Sequence, residues 1–156
     1  MRLSSITIDA DGSPSGYVAW YNHSTETGNI RALRPAVRNG RYGIQRMEML
    51  AIYFALADNF QEIEWFTSGH RKCRQLVISI RSDSKTCIEQ LQGTSEIRDL
   101  QIQRVRSSIR TLIQRVSQII FFNHLDRRKN IAGLLLEQKR RKREEESLML
   151  EYQKHY

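Results

Sequence analysis

Apolar and polar residues alternate over residues 3–9, Leu-Ser-Ser-Ile-Thr-Ile-Asp, with Ile6 and Ile8 on one parity. A period of two predicts a strand. Asp11-Gly12-Ser13-Pro14-Ser15-Gly16 crowds turn formers together and ends it. Tyr17-Val18-Ala19-Trp20-Tyr21 predicts a second strand and Asn22 to Gly28 a polar turn. Asn29 to Pro35 predicts a third strand, closing an antiparallel meander. The period then changes. Between Gln45 and Asn59, Met47, Leu50, Ala51, Phe54 and Ala55 recur at the spacing of an amphipathic helix. Residues 60–75 carry no clear period. Leu76-Val77-Ile78-Ser79-Ile80 is a short β-branched run and predicts a buried strand.

Ser82 or Ser84 can cap a helix that runs through Leu91 and breaks at Gly93. Ser95 to Val116 predicts a long helix with Ile97, Leu100, Val105, Ile109, Leu112 and Val116 on one face. Gln118 to Asn123 predicts a last strand. From Arg127 onward the chain predicts helix, its apolar face opening at Leu134 and Leu136. The order β-β-β-α-β-α-α-β-α demands an α/β fold, a mixed sheet with helices on its faces. Parallel crossovers in it are right-handed.

Composition narrows the class. At 156 residues the chain fits one domain of roughly 100–200 residues. It has 40% hydrophobic and 27% charged residues, as in ordinary globular proteins. No apolar run approaches the ~18–20 residues of a membrane span, and the first twenty residues lack the layout of a secretory leader. Cys73 and Cys87 are too few for a disulfide framework or a four-cysteine zinc site. The expectation is a reduced intracellular, cytoplasmic protein with no membrane contact. A net charge of +8 favours a polyanionic partner, nucleic acid above all.

The last segment divides the chain into residues 1–137 and a charged helical extension, 138–156. Lys139-Arg140-Arg141-Lys142-Arg143 runs into Glu144-Glu145-Glu146. Arg140–Glu144, Arg141–Glu145 and Lys142–Glu146 fall at i,i+4, the spacing of a self-neutralising solvated helix. The same stretch reads alternatively as a grip on nucleic acid, or as a helix for a protein partner or self-association.

Four carboxylates sit where chemistry gathers. Asp9 and Asp11 end the first strand, Glu48 borders the apolar stripe of the first helix, and Asp83 lies where a strand meets a helix. Strand ends and helix starts converge on one edge of such a sheet. Acids from three elements meeting there would make an oxygen site for Mg²⁺ or Mn²⁺. Two such ions about 3.5–4 Å apart clamp the attacking and leaving oxygens of a phosphodiester. The basic residues Arg98, Arg104, Arg106, Arg110, Arg115, Arg127, Arg128 and Lys129 supply phosphate-binding charge.

Over nearly its full length the chain resembles the type 1 ribonuclease H family, and its plant and archaeal branch in particular. Asp11-Gly12-Ser13 is similar to the family's Asp-Gly-Ser after the first strand, and Gly16-Tyr17-Val18-Ala19 to the opening of its second. Gln45-Arg46-Met47-Glu48-Met49-Leu50-Ala51 resembles the helix with the catalytic Glu, and Ser82-Asp83-Ser84-Lys85 its Thr-Asp-Ser-Gln/Lys motif. His124-Leu125-Asp126-Arg127-Arg128-Lys129-Asn130 is similar to its His-Val-Pro-Arg-x-x-Asn stretch. The resemblance implies a ribonuclease H-like mixed five-stranded sheet. It implies a two-metal endonuclease that cleaves the RNA strand of an RNA–DNA hybrid.

Its metal ligands would be Asp11 or Asp9, Glu48 and Asp83, with His124 assisting. The Gly-Ser that follows favours Asp11; the position directly after Ile6-Thr7-Ile8 favours Asp9. Flanking residues Ser13, Gln45, Ser84, Lys85, Arg127 and Asn130 would meet the substrate, including the 2′-hydroxyls that mark RNA. The chain departs from the family in one respect. Gly133 and Leu134 stand where the family has Ala-Asp, so the fourth carboxylate is missing in register and Asp126 is the only nearby acid. That departure leaves a second reading, a weak or inactive nucleic-acid-binding scaffold on the same fold.

Overall fold

The computed structural model describes residues 4–67 and 76–155. Leu3, His70 and Cys73 lie outside them. Five strands form one sheet: β1 (Ser4–Gly12), β2 (Tyr17–Asn22), β3 (Thr27–Ala32), β4 (Leu76–Ser82) and β5 (Ile120–His124), in the order β3-β2-β1-β4-β5. The first three pair antiparallel. β4 joins β1 and β5 joins β4 in parallel. The helices are α1 (Gly43–Asp58), α2 (Phe60–Thr67), α3 (Lys85–Gln92), α4 (Leu100–Gln114) and α5 (Ile131–His155).

β1 runs three residues further than its alternation predicts. Asp11 and Gly12 still pair with Ala19 and Val18 of β2, and the turn closes only where the Ser13 N–H donates to the Tyr17 carbonyl at 2.8 Å. Both aspartates therefore lie within the strand. β3 starts earlier and stops sooner than expected, because Pro35 opens a 3-10 turn at Pro35–Arg38. The unassigned stretch 60–75 contributes α2 as far as Thr67.

The predicted long helix begins at Leu100 rather than Ser95. Asp99 caps it, accepting from the Ile102 N–H at 3.0 Å. The inward face keeps Ile97, Ile109 and Val116 and adds Ile102, whereas Leu100, expected on it, is exposed. Asp99 is held twice, since Arg46 of α1 donates to both its oxygens at 2.6 and 2.9 Å. That guanidinium holds the Asp99 carboxyl below the usual carboxylate range. β5 begins at Ile120, with Ile120 and Phe122 inward and Ile119 and Phe121 outward.

The core lies between α1 and one sheet face. Ile6, Ile8 and Ala10 of β1, Ile78 and Ile80 of β4, and Val18 of β2 meet Met47, Ala51, Ile52 and Ala55 of α1. α5 covers the other face of β1, β2 and β3, where Ala19, Ala132 and Leu136 pack with Tyr17, Ile30 and Leu135. Leu136 is buried as expected, but Leu134 is 45% exposed and forms no part of that face. α5 runs unbroken across residues 137 and 138. Of the predicted i,i+4 charge pairs none forms; Arg141 reaches back to Glu137 at 2.9 Å instead. Among the described residues no helix is long and apolar enough to cross a membrane.

Candidate metal centre

β1 and β4 are parallel neighbours, so their carboxyl ends share one edge of the sheet. Asp11 sits one residue before the end of β1, and Asp83 follows the last residue of β4. α1 crosses this edge with Glu48, because β1 lies almost on its backbone. A Cβ at Gly12 would fall 2.6 Å from the Met47 carbonyl carbon, so glycine alone permits the approach. The Gly12 N–H donates to Glu48 Oε2 at 3.2 Å and fixes that carboxylate. Asp11, Glu48 and Asp83 are all half-buried, and one oxygen from each lies within 4.8 Å of the others.

Three carboxylates this close resist ionising together. Burial, then the Asp83 charge, pushes the Asp11 carboxyl up to about 7. Burial, then the charges of Asp11 and Asp83, pushes Glu48 up to about 9. Arg127, whose charge acts the other way on Asp11, is a nearby cation. The donor set is oxygen only, which fits a hard divalent cation. Such an ion would supply the positive charge the three groups lack.

Asp9 does not join them. It points to the same sheet face as Asp11, as period two requires, but it is fully buried and engaged by other groups. Arg81 Nε donates to Asp9 Oδ1 at 2.7 Å. His23 Nε2 lies 2.9 Å from Oδ2, which also accepts from the Ile131 N–H at 3.3 Å. The two aspartates differ in position: Asp11 reaches the edge, and Asp9 ties β1 to β4 and to the first turn of α5.

His124 ends β5, exposed, with Nε2 3.2 Å from the Asp83 carbonyl oxygen. Ser84 spends its hydroxyl as the cap of α3, accepting from the Cys87 N–H at 3.3 Å. Lys85 opens α3 in solvent. Gln45 lies one turn before Glu48 on α1, half-buried. Ser13 faces the turn, its hydroxyl 2.7 Å from that of Ser15. Asn130 is a correction. It is fully buried, donates to the Ala10 carbonyl at 3.0 Å and accepts from the Ala132 N–H at 3.1 Å. It caps α5 and anchors it to β1, and has no surface left for a substrate.

Sequence reasoning missed Arg81 and His23, which only the parallel register and the β2–β3 turn bring to Asp9. It also missed how Gly133 is placed. A Cβ there would lie 3.0 Å from Asp11 Oδ2, so α5 comes against the cluster through a residue with no side chain.

No family model matches this chain, and no curated protein does. Solved structures do. A ribonuclease H1 from the halophilic archaeon Halobacterium salinarum superposes with a TM-score of 0.61 at 20% identity, covering 83% of this chain and 91% of that one. A second, LC11-RNase H1 isolated from compost by a metagenomic approach, gives a TM-score of 0.60 at 16% identity, covering 86% and 93%. The fold is ribonuclease H-like. LC11-RNase H1 is also known in complex with an RNA/DNA hybrid, and that structure matches with a TM-score of 0.56 at 16% identity over 80% of this chain and 88% of that one. The ribonuclease H-like sheet, three antiparallel strands followed by two parallel ones, is the architecture the sequence implied, and the acidic cluster at its edge is compatible with a metal ion.

Proposed function

We propose that this protein is a metal-dependent endoribonuclease that cleaves the RNA strand of RNA–DNA hybrids in the cytoplasm. The observation that carries the reading is the convergence of Asp11, Glu48 and Asp83 at the carboxyl edge of a ribonuclease H-like sheet. Asp11, Glu48 and Asp83 would hold Mg²⁺ or Mn²⁺, two ions when substrate is bound. A bound ion supplies positive charge against the phosphate oxygens and makes water a better nucleophile. The residues do the rest. The Gly12 N–H keeps Glu48 turned to the cluster. If His124 donates from Nε2 to the Asp83 carbonyl, its Nδ1 is left to take or give a proton beside the scissile phosphate. Arg127 brings charge to the phosphate, and Ser13, Gln45, Ser84 and Lys85 flank the acids, where the 2′-hydroxyls of an RNA strand would be read. The hybrid crystallised with LC11-RNase H1 supports this choice of substrate.

One observation favours a second reading. Among the described residues the acidic cluster has three members, and α5 meets it with Gly133 rather than an acid. A protein holding the second ion poorly could be a hybrid-binding scaffold. Labelled RNA–DNA, RNA–RNA and DNA–DNA duplexes incubated with Mg²⁺ and then Mn²⁺ separate the two. Selective cleavage of the RNA strand in the hybrid is expected. Hybrid binding without cleavage in either metal would establish the scaffold instead.

A further inference from the structure

The apolar packing of α5 ends at Leu136, yet the helix is held for two further turns. The Lys139 ammonium lies 5.1 Å and the Arg143 guanidinium 4.5 Å from the centre of the Tyr17 ring. A cation over an aromatic face is attracted to it. The block Lys139-Arg140-Arg141-Lys142-Arg143 is therefore pinned by its first and last members. Tyr17 sets where the block comes to rest. It opens β2 one residue beyond the Gly12–Val18 pair, and its carbonyl accepts from the Ser13 N–H at 2.8 Å. This is the carboxyl end of β1, the edge that carries Asp11.

α5 thus meets the acidic cluster at Gly133 and then brings its basic block to the β2 side of the same edge. Arg140 follows Gly133 by seven residues. Seven residues make two turns, so Arg140 sits on the same side of the helix, about 10.5 Å further along. Arg141 is already committed, to Glu137 at 2.9 Å. Arg140 and Lys142 are exposed. Among the described residues neither has an ion-pair partner, although Glu144 and Glu146 stand four residues on. Two free cations on a helix fixed beside an acidic cluster complement a phosphate backbone laid along that edge. A strand of duplex advances about 3.4 Å per base pair, so 10.5 Å is about three base pairs.

We propose that Arg140 and Lys142 form a phosphate-binding arm, gripping the nucleic-acid backbone about three base pairs from the acidic cluster on the β2 side. The arm rests on the hybrid substrate of the ribonuclease reading, and it adds a contact remote from the residues that flank the acids. Glu144, Glu145 and Glu146 repel phosphate and set the outer limit of the grip.

The test uses the full chain with chelator present, so that binding is read without cleavage. Affinity for a fluorescent RNA–DNA hybrid is measured by anisotropy over a salt series. The wild type is compared with the double variant Arg140→Gln, Lys142→Gln and with Lys154→Gln, which removes an exposed cation of the same helix beyond the acidic block. Circular dichroism checks that each variant keeps its helix. Each phosphate contact adds about 0.9 to the slope of log affinity against log salt, so the double variant should bind more weakly with a slope lower by about 1.8. Lys154→Gln should match the wild type. The advantage of the wild type over the double variant should disappear in the shortest hybrids of a stepwise length series. An unchanged slope in the double variant overturns the proposal. So does a wild type with no measurable affinity at low salt, an advantage that persists at every length, or a loss in Lys154→Gln as large per charge, which would reduce the effect to net charge. Loss of binding to phosphatidylserine vesicles with hybrid binding untouched overturns it too, and assigns the block to a membrane surface. Cleavage of the hybrid by the wild type in Mg²⁺ or Mn²⁺ is scored separately. Cleavage with an unchanged slope removes the arm alone; a lowered slope with no cleavage in either metal removes the ribonuclease and keeps the arm.

Discussion

Asp9 and Asp11 differ by one turn of the strand's alternation, yet one is a buried tether and the other stands in the acidic cluster. Asp83→Asn should abolish hybrid cleavage. It should hold or raise the melting temperature without metal, because it removes a charge that opposes Asp11 and Glu48. Wild-type cleavage by that variant would reduce Asp83 to a strand-end residue. The raised carboxyls also set a pH dependence. Asp11 moves from 3.8 to about 7 and Glu48 from 4.5 to about 9, so between about 4 and about 9 the folded protein holds protons that the unfolded chain has released. Metal-free stability should therefore fall as pH rises through that window, and added Mg²⁺ or Mn²⁺ should restore most at the alkaline end. Melting curves at stepped pH, with chelator and with metal, check this; a flat metal-free profile would contradict it. Gly133→Ala divides the two demands on its position. A methyl there suits a helix better by up to about 1 kcal/mol, but it crowds Asp11 Oδ2 at 3.0 Å. The variant should keep or gain stability while needing more metal for half-maximal cleavage. That Glu48 and Asp83 would meet an aspartate of β1 was readable from the short motifs that flank them, while the choice between Asp9 and Asp11 stayed open. Asp9 was not, since its partners Arg81 and His23 are set by register and a turn rather than by neighbours in sequence.

Among the elements, β2, β4, α1 and α3 lie close to the spans their apolar spacing predicts. The two misplaced helix starts have one cause. Asp99 at the start of α4 and Asn130 at the start of α5 are capping side chains that decide where a helix begins, and both lie inside stretches whose apolar spacing already looks helical. Arg46 shows what such a cap supports. It joins α1 to the first turn of α4 through Asp99 and also donates to the Asn39 carbonyl at 2.9 Å. Arg46→Ala leaves a largely buried carboxylate unpaired and should cost about 3 kcal/mol. Chemical denaturation measures it, and a loss under about 1 kcal/mol would mean that water replaces the guanidinium.

At the scale of the molecule, the net charge of +8 predicts salt-sensitive binding. Each phosphate contact adds about 0.9 to the slope of log affinity against log salt on a duplex. Hybrid binding by the catalytically silent Asp83→Asn variant should weaken steeply with salt, and Arg127→Ala should lower the slope by about one contact. An unchanged slope would remove Arg127 from the phosphate path. The fold class was legible in the element order alone, since a meander followed by alternating helices and strands admits few sheets. The course of α5 was not: charge patterning shows that it is a helix, whereas its packing ends at Leu136 because only Ala132, Leu135 and Leu136 have apolar partners on β2 and β3.

The three carboxylates come from segments 37 and 35 residues apart, and the strand that carries Asp11 is flanked by β2, its neighbour in the chain, and by β4, which follows more than sixty residues later. During synthesis β1 and β2 can form a hairpin at once, but the side of β1 that β4 will occupy stays an open edge until Leu76–Ser82 has emerged. Until then Asp83 cannot join Asp11 and Glu48, and the open edge of β1 is exposed to wrong partners. A metal held by Asp11, Glu48 and Asp83 would therefore stabilise only a chain in which β4 has paired with β1, and its binding should report that long-range pairing rather than the β1–β2 hairpin.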